Sequence, residues 1–420
     1  MKTFCKLTEA EFDAFSRDYR PTNFLQSVPM AHSQQERGSR IAYYGIRDGS
    51  GLVVAAGLFT LTPYRKLFRI ASAFGGMLMD YSNEEDLAVL YEGLRQEFSH
   101  SRVAQVRILP YFNLIERDID GKIVEAGYDN HDLVENLKAA GFQHHGYQNH
   151  YNTTDSRWFF QKDLSRIATP EELLASFGGQ NRWATRKTQK LGIQVRDLRF
   201  DELDQFDRIL EHTADRRDFL NRGIDYYRSI YQGFVPSGEA RFLLAELDLD
   251  HYQAQLGALR QEQLDELRES ERRYASKPTG KMENRIRTAQ EAIEGFDAKL
   301  SELETDLRPK GPVIPLAAAV FLRYVDTVTY LFSGAYSEYL HFNAAYAIQW
   351  EAMNWALEQK ATLYDFYGTE GAFSGAEDEG VYHFKKGFGG FVVEKPGIFS
   401  LNPNPTLYNF LSKVSDIDEE

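Results

Sequence analysis

The sequence of 420 residues contains one cysteine, Cys5, so the chain cannot form an intramolecular disulfide. This shortage is typical of a reducing compartment. Long apolar runs are also missing, since the longest candidate, residues 313–322, is broken by Pro315 and is shorter than the roughly 18 apolar residues that a membrane-spanning helix needs. The first residues lack the apolar stretch of a secretory signal. We therefore expect a cytoplasmic protein with at most peripheral membrane contact.

Motifs for several common chemistries are absent as well. The sequence has no Walker-type phosphate loop and no Gly-x-Ser-x-Gly nucleophile elbow. Its ten histidines are scattered, and the close pair His144-His145 lacks the spacing of a zinc site. These absences argue against nucleotide hydrolysis and serine-hydrolase chemistry, and we expect neither a metal nor a cofactor.

The net charge of −14 argues against binding of nucleic acid over the whole surface. Residues 180–199 are an exception, because they contain six basic residues and one acid. Four of the basic residues fall on one predicted helix, namely Arg182, Arg186, Lys187 and Lys190. Such a strip can bind a phosphate backbone. A solvated helix face explains the same charge equally well.

The distribution of apolar residues indicates more than one packed unit. Hydrophobic residues make up 43% of the chain, enough for two or three cores. The first part alternates strand-like and helix-like segments, such as an amphipathic helix at 84–98 and a strand at 103–109. A similar order recurs later, so we predict an α/β (α+β) fold of two related units. Subdomain A is residues 1–150, and subdomain B is residues 151–247 and 309–420.

Residues 248–308 differ from the rest of the chain. In their second half, apolar residues recur at alternating spacings of four and three, as in a heptad repeat. The positions are Met282, Ile286, Ala289, Ile293, Phe296, Leu300, Leu303 and Leu307. Breaker residues at 276–280 divide the segment, which predicts an antiparallel helical hairpin inserted into subdomain B. A structural or dimerising arm is at least as well supported as a ligand-binding one.

The residues best suited to chemistry lie between 330 and 390. Tyr330 begins the strand end Tyr-Leu-Phe-Ser-Gly-Ala, and Asp365 lies in the strand Tyr-Asp-Phe-Tyr-Gly. The run Phe384-Lys385-Lys386-Gly387 places two lysines beside a glycine-rich turn. Glycine lets a bulky ligand approach the backbone, and a lysine there can stabilise a phosphate or a developing oxyanion. A solvated turn is the simpler explanation of the lysine pair taken alone.

Together these segments resemble the C-terminal signature of the Fem aminoacyltransferases, and the likeness extends over nearly the whole chain. Residues 23–27 (Asn-Phe-Leu-Gln-Ser) are similar to the family's opening Phe-x-Gln-Ser/Thr. Residues 218–222 (Asp-Phe-Leu-Asn-Arg), followed by Tyr226-Tyr227, are similar to its Phe-x-x-Arg-x-x-x-Tyr element. The hairpin resembles the coiled-coil arm of the FemA-like members. The resemblance implies two tandem acetyltransferase-like (GNAT) subdomains with an inserted antiparallel coiled coil.

The resemblance also implies a function and roles for particular residues. Members of the family transfer glycine, alanine or serine from aminoacyl-tRNA to an amine of the peptidoglycan stem peptide, on a UDP-MurNAc-peptide or on lipid II, and the arm favours lipid II. Lys385 matches the lysine that stabilises the carbonyl oxygen of the attacked ester. Arg222 matches an arginine at the diphosphate of the precursor, and Tyr226 matches the family's tyrosine.

Further residues are expected to contribute to this site. Asp365 is a weak candidate for a general base, and a strand-end residue that fixes a local turn is the simpler interpretation. Tyr330, Phe384 and Lys386 are expected to bind substrate, and the four basic residues at 182–190 are expected to contact tRNA. A homo- or hetero-oligomer with related Fem proteins is compatible with the resemblance.

The sequence departs from the family pattern at two places. Residues 30–34 (Met-Ala-His-Ser-Gln) stand where many members have a lysine, and Leu109-Pro110 replaces an Asp-Pro. We therefore expect the acceptor site in subdomain B. Two alternatives stay open. One is an N-acyltransferase that uses acyl-CoA, although no convincing Arg/Gln-x-x-Gly-x-Gly/Ala run is present, and the other is a non-enzymatic scaffold for cell-wall synthesis.

Overall fold

The computed structural model describes residues 1–65, 67–147, 156–217, 220–369, 371, 373 and 379–412. Within these residues the chain forms two seven-stranded sheets with helices packed on them. The elements before residue 148 are β1 Thr3–Lys6, α1 Glu9–Asp18, α2 Val28–Glu36, β2 Arg40–Arg47, β3 Val53–Tyr64, β4 Phe68–Phe74, α3 Glu84–Ser99, β5 Val103–Leu109, α4 His131–Ala139 and β6 Gln143–His144.

The elements after residue 155 form the second sheet, its helices and the end of the chain. They are β7 Trp158–Asp163, α5 Pro170–Ala175, α6 Gly179–Lys190, β8 Ile193–Asp197, α7 Leu203–Arg217, α8 Ile224–Phe234, β9 Ala240–Asp248, α9 Leu249–Ser276, α10 Gly280–Glu302, β10 Val313–Tyr324, β11 Thr327–Ala335, α11 Ala344–Glu358, β12 Leu363–Thr369, α12 Glu379–Lys386, β13 Phe391–Glu394, β14 Phe399–Leu401 and α13 Pro405–Ser412.

Capping residues explain where several helices begin. Thr8 precedes α1 and forms a capping box with Glu11, in which each side chain accepts a hydrogen bond from the other residue's backbone N–H. Thr169 caps α5, and Pro170 follows at the first helical position. Thr279 accepts a hydrogen bond from Met282 N and so starts α10 directly after the breaker residues.

The two sheets repeat one strand order. The first is β1-β2-β3-β4-β5-β14-β6, and the second, read from its far edge, is β8-β9-β10-β11-β12-β7-β13. At the same place in each order lies a parallel pair, β4/β5 and β11/β12, whose strands are connected by a helix. The other pairs of the named strands are antiparallel. These matching orders confirm the predicted α/β fold of two related units.

One strand near the end of each sheet enters out of chain order. β7 lies between β12 and β13, and β14 lies between β5 and β6. In the first sheet Phe399–Leu401 pairs with residues 106–108 of β5. The range predicted for subdomain B, 309–420, therefore includes a strand of the first sheet, and the chain returns to its starting unit at the end.

The central strand β10 is covered on both faces. Ala318, Val320 and Leu322 pack with the helices α7 and α8. The alternate residues Ala317, Ala319 and Phe321 pack with α11. Alternation along the strand sends successive side chains to opposite faces, so this near-continuous apolar run is a strand buried inside the second unit rather than a membrane segment. Within the described residues, no helix is long and apolar enough to cross a bilayer.

The helical hairpin is inserted between β9 and β10, which are paired neighbours in the second sheet. Its two helices, α9 and α10, run antiparallel, because Arg260 Nε lies 2.6 Å from Asp297 Oδ1, whereas Arg308 Nη1 near the base lies 2.9 Å from Asp250 Oδ1. Among the heptad positions, Ala289, Leu303 and Leu307 are buried. The hairpin helices are separated by residues 277–279.

Candidate active site

The parallel pair of the second sheet separates before its strands end. Its hydrogen-bonded register joins residues Thr327–Thr329 to Leu363–Asp365. Beyond these residues β11 continues to Ala335 and β12 continues to Thr369. In the first sheet, by contrast, the register of β4 and β5 extends to the last residue of each strand. The second sheet therefore has a gap between the ends of its two parallel strands, whereas the parallel strands of the first sheet stay paired to their ends.

A cavity of about 630 Å³ occupies this opening. Its floor is formed by β10 and the separated ends of β11 and β12, and its walls by the end of α7, the start of α11 and the helix α12. Four of the predicted site residues line it, namely Arg222, Tyr330, Phe384 and Lys385. The volume falls in the range of small-molecule binding sites. Among the described residues, no group of three or more His, Cys, Asp or Glu side chains could hold a metal ion.

Lys385 lies in the last turn of α12, and only 5% of the residue is exposed. Its Nζ donates a hydrogen bond to the backbone carbonyl of Gly368 at the end of β12. Beside it, the Phe384 ring packs on Tyr346 with 5.0 Å between ring centroids. An ammonium held at an enclosed, partly apolar wall can stabilise negative charge on a bound carbonyl oxygen more strongly than it could in water.

Residues before α6 and in its first turn fix the C-terminal end of α12. Asn181 Nδ2 donates a hydrogen bond of 2.9 Å to the Phe384 carbonyl, and Gly178 N donates one of 2.8 Å to the Gly387 carbonyl. A Cβ atom at Gly387 would lie 2.1 Å from Asn181 Oδ1, so a side chain there would force the turn or Asn181 to move. The carbonyls at a helix end otherwise need water or side-chain partners. The basic helix and the helix of Lys385 are thus one hydrogen-bonded assembly.

Lys162 on β7 supports the same turn from below. Its Nζ donates a hydrogen bond of 2.9 Å to the Phe388 carbonyl, and burial lowers the pKa of Lys162 to about 8. Sequence analysis missed this residue, since a lysine in a short strand gives no signal that it points inward. Its part is to position the turn after Lys385.

Asp365 is buried beside a second, smaller cavity of about 60 Å³, which is lined by residues of both units. Its carboxylate accepts hydrogen bonds from Tyr367 N at 2.7 Å and from Gln161 Nε2 at 3.0 Å. Tyr367 has a φ of 63°, which is strained for a residue with a side chain. Burial raises the pKa of Asp365. These contacts match the simpler role, a strand-end residue that fixes a local turn, better than the role of general base.

The mouth of the large cavity is rich in arginine. The residues are Arg216 and Arg217 from the end of α7 and Arg222 from the segment before α8. The predicted Tyr226 packs beneath Arg37, whose guanidinium lies 4.5 Å from the ring centroid, while its neighbour Tyr227 lines the cavity. Asp218 and Phe219 of the predicted motif lie outside the described residues. The adjacent pair Arg216-Arg217 at a helix end was the signal that sequence analysis missed.

Lys386 is placed differently from its neighbour Lys385. Its Nζ forms an ion pair with the Asp120 carboxylate in the first unit and lies 5.6 Å from the centroid of the Tyr382 ring. Successive helical residues point about 100° apart, which explains why two adjacent lysines have separate surroundings. The contact with Asp120 ties α12 to the first unit.

The four predicted tRNA-contacting residues all lie on α6, a helix without an acidic residue. The side chains of Arg186 and Lys190 are exposed, and Arg182 Nη1 lies 3.4 Å from the Ala175 carbonyl. Lys187 Nζ donates a hydrogen bond of 2.9 Å to the backbone carbonyl of His341. The two remaining basic residues of the strip, Arg196 and Arg199, form ion pairs with Glu202. The positive surface is therefore narrower than the sequence indicates.

The chain belongs to the FemAB family, whose model matches residues 7–415. It is 27% identical over 413 residues to the aminoacyltransferase FemA of Staphylococcus epidermidis, with 97% of each chain covered. It is 28% identical over 421 residues to the aminoacyltransferase FemA of Staphylococcus aureus strain MW2, with 98% of this chain and 99% of the relative covered. The crystal structure of FemX shares the fold, with a TM-score of 0.75 at 24% identity over 97% of this chain and 99% of that one.

Proposed function

We propose that this protein is an aminoacyltransferase of peptidoglycan bridge synthesis that transfers glycine, alanine or serine from aminoacyl-tRNA to the stem peptide of a lipid-linked precursor. The observation that carries the proposal is the position of Lys385, whose ammonium lies in the wall of a 630 Å³ cavity beside the carbonyl of Gly368. Membership in the FemAB family and the names of the relatives support the reaction class.

The proposed chemistry needs little from the protein, because an aminoacyl ester is already activated. The neutral amine of the stem peptide attacks the ester carbonyl, a C–N bond forms, and the bond to the ribose oxygen of tRNA breaks. Lys385 stabilises the oxyanion of the tetrahedral intermediate. The proton lost by the amine passes to the departing ribose oxygen. We assign no general base to the protein, because Asp365 is engaged by Tyr367 and Gln161.

The acceptor is proposed to enter through the arginine-rich mouth. A guanidinium binds the paired oxygens of a diphosphate through two parallel hydrogen bonds, and Arg222 and Arg216 both line this entrance. The stem peptide then extends into the cavity past Tyr330 and Phe384. In this arrangement Tyr227 contacts the acceptor, the role that the family pattern suggested for Tyr226. Tyr226 packs behind the wall of the cavity.

The donor is proposed to approach along α6. Arg182, Arg186, Lys187 and Lys190 supply a basic helix on a protein whose net charge is −14. Because the chain is acidic overall, a local basic strip favours RNA binding at this helix. The hydrogen bond from Asn181 to the Phe384 carbonyl joins this helix to α12. An acceptor stem bound on α6 would thus deliver its ester near Lys385.

A lipid-linked acceptor would place the protein in the cytoplasm with peripheral contact at the inner face of the membrane. We propose residues 1–150, 151–247 with 309–420, and 248–308 as the functional divisions, with β14 returning to the first sheet. The arm at 248–308 then serves a structural role or an oligomer with itself or related Fem proteins, and a truncation can separate these roles.

The transfer itself is the decisive experiment. The purified protein is incubated with tRNAs charged with each radiolabelled amino acid, together with either UDP-MurNAc-pentapeptide or lipid II. We expect incorporation into the stem peptide from glycyl-, alanyl- or seryl-tRNA, with lipid II as the better acceptor. A parallel reaction with acetyl-CoA tests the alternative donor. Failure of every charged tRNA to label either acceptor would refute the proposal.

A further inference from the structure

Trp183 on α6 is exposed to an unusual degree, since 60% of the residue is accessible to solvent. Trp is among the most costly side chains to leave in water, because it carries a large apolar surface. The ring has a cation over its face, since Lys187 Nζ lies 5.2 Å from the ring centroid. The next basic residues along the helix, Arg186 and Lys190, are exposed as well. An exposed aromatic ring beside positive charges is typical of a binding site for an anionic, aromatic ligand.

This face lies beside the entrance of the large cavity. Lys187, which contacts the Trp183 ring, also donates its hydrogen bond to the backbone carbonyl of His341. The residue before His341 is Leu340, which is 47% exposed and lines the cavity. On the other side, Asn181 bonds the Phe384 carbonyl next to Lys385. Lys187 and the segment at residues 340–341 thus connect the Trp183 face to the lining of the cavity.

We infer that Trp183 is a stacking platform for the unpaired nucleotides at the 3′ end of the aminoacyl-tRNA. The inference rests on the proposed function and adds a specific residue for the donor. Proteins bind single-stranded nucleic acid by combining aromatic rings, on which bases stack, with cations that follow the backbone. The helix Gly179–Lys190 supplies both and contains no acid. Stacking fixes the strand end, while Arg186 and Lys190 contact its phosphates.

A membrane surface is the other ligand to which a tryptophan among basic residues could bind. An interfacial helix needs a broad apolar face in addition to its cations. Along α6, all of which the structure describes, Trp183 is the one exposed large hydrophobic residue, and the apolar Ala184 faces inward. One ring among several cations fits stacked bases better than a bilayer.

The experiment compares Trp183→Ala, Trp183→Phe and Arg186→Ala in the full-length protein, with Phe200→Ala as the control for loss of an exposed aromatic ring (42% exposed). We expect Trp183→Ala to raise the KM for aminoacyl-tRNA about 10-fold with the KM for lipid II unchanged. Trp183→Phe should retain most of the affinity, because a smaller ring still stacks. Phe200→Ala should behave as the wild type.

Direct binding separates stacking from charge. Fluorescence anisotropy measures the affinity for an uncharged acceptor-stem RNA hairpin with its unpaired 3′ nucleotides and for the same hairpin without them. Trp183→Ala should weaken binding only of the hairpin that carries the unpaired 3′ nucleotides. The salt dependence of its binding constant should not change. Arg186→Ala should instead reduce the slope of log K against log salt by about 0.7, the value for one phosphate contact on a single strand.

Two outcomes overturn the inference while leaving the proposed function intact. One is transfer by Trp183→Ala with a wild-type KM for aminoacyl-tRNA. The other is that Trp183→Ala loses binding to vesicles of phosphatidylcholine and phosphatidylglycerol while its RNA binding is unchanged. That result would assign Trp183 to membrane binding. Absence of transfer by the wild type with every charged tRNA, in contrast, would reject the proposed function itself.

Discussion

Asn181 Nδ2 donates a hydrogen bond of 2.9 Å to the backbone carbonyl of Phe384 and so connects the basic helix α6 to the residue beside Lys385. Asn181 is buried, with 2% of the residue exposed. Replacing Asn181 removes the hydrogen-bond donor to the Phe384 carbonyl. This carbonyl lies in the last turn of α12, where carbonyls have no amide partner within the helix. The orientation of Lys385 therefore depends on a buried side chain of the basic helix.

Asn181→Ala should lower both stability and the rate of transfer. The free energy of unfolding should fall by about 1–2 kcal/mol, the usual cost of an unsatisfied buried carbonyl, and kcat should fall because Lys385 loses its fixed position. Asn354→Ala is the matched control, since Asn354 Nδ2 bonds the Trp350 carbonyl within α11. Denaturant unfolding and steady-state kinetics measure both effects. Equal kcat values for the two variants would contradict the positioning role.

Gly387→Ala should disrupt the turn that follows Lys385. The added Cβ atom would lie 2.1 Å from Asn181 Oδ1, so the turn or the asparagine must move, at a cost of about 1–3 kcal/mol. Gly380→Ala, in the first turn of the same helix, is the stability control because nothing lies within 4 Å of its added Cβ atom. Thermal unfolding should show a lower Tm for Gly387→Ala and a Tm for Gly380→Ala at or above that of the wild type. A reversal of this order would disprove the packing account.

Lys162 should make stability depend on pH in the alkaline range. Burial lowers the pKa of its ammonium from the usual 10.5 to about 8. Below pH 8 the group is charged in both the folded and the unfolded chain, and burial of the charge destabilises the folded state. Between pH 8 and 10.5 the unfolded chain keeps a proton that the folded chain has lost, so stability rises with pH.

The comparison with Lys162→Met isolates this effect from other titrating groups. Between pH 8 and pH 10, we expect the free energy of unfolding to rise by about 2 kcal/mol more in the wild type than in the variant. Urea unfolding at four pH values measures the difference. A difference that stays constant, or that moves in favour of the variant as the pH rises, would show that Lys162 is not buried as a titrating lysine.

The outer part of the helical hairpin should be dispensable for folding. Its base joins the core of the second unit through residues such as Leu256 and Leu303. Farther out, Arg260 and Asp297 form an ion pair between the two helices. Replacing residues 262–294 with a four-residue Gly/Ser linker should therefore keep cooperative unfolding with a Tm within about 3 °C of the wild type. Loss of cooperative unfolding would mean that the outer hairpin is part of the core. Sedimentation of the truncated protein tests the dimerising role.

The sequence predicted the elements with strong local signals and missed those that depend on distant contacts. The strand 103–109 and the helix 84–98 agree with β5 and α3 within one residue, because apolar spacing decides them. The short strand β14 carries three residues, and its place between β5 and β6 is set by the return of the chain. No local pattern contains that information.

The sequence indicated part of the candidate site but not its geometry. Four of the residues predicted from the resemblance, Arg222, Tyr330, Phe384 and Lys385, line one cavity, and their roles stay predictions. The cavity itself arises because β11 and β12 separate after Thr329 and Asp365, a register effect that only the folded chain reveals. Lys386 and Tyr226 face other surroundings than their cavity-lining neighbours, because successive helical residues point about 100° apart.

The proposed function depends most on Lys385, and a single-turnover rate of transfer tests it directly. Lys385→Met is compared with the wild type under saturating charged tRNA and lipid II, with Lys138→Met, which alters an exposed lysine on α4 beside Glu135, as the control. Lys385→Met should slow transfer by about 100- to 1,000-fold, as expected for loss of one oxyanion-stabilising donor. Lys138→Met should keep the wild-type rate, and both variants should stay folded. Transfer by Lys385→Met at the wild-type rate would contradict the proposed function.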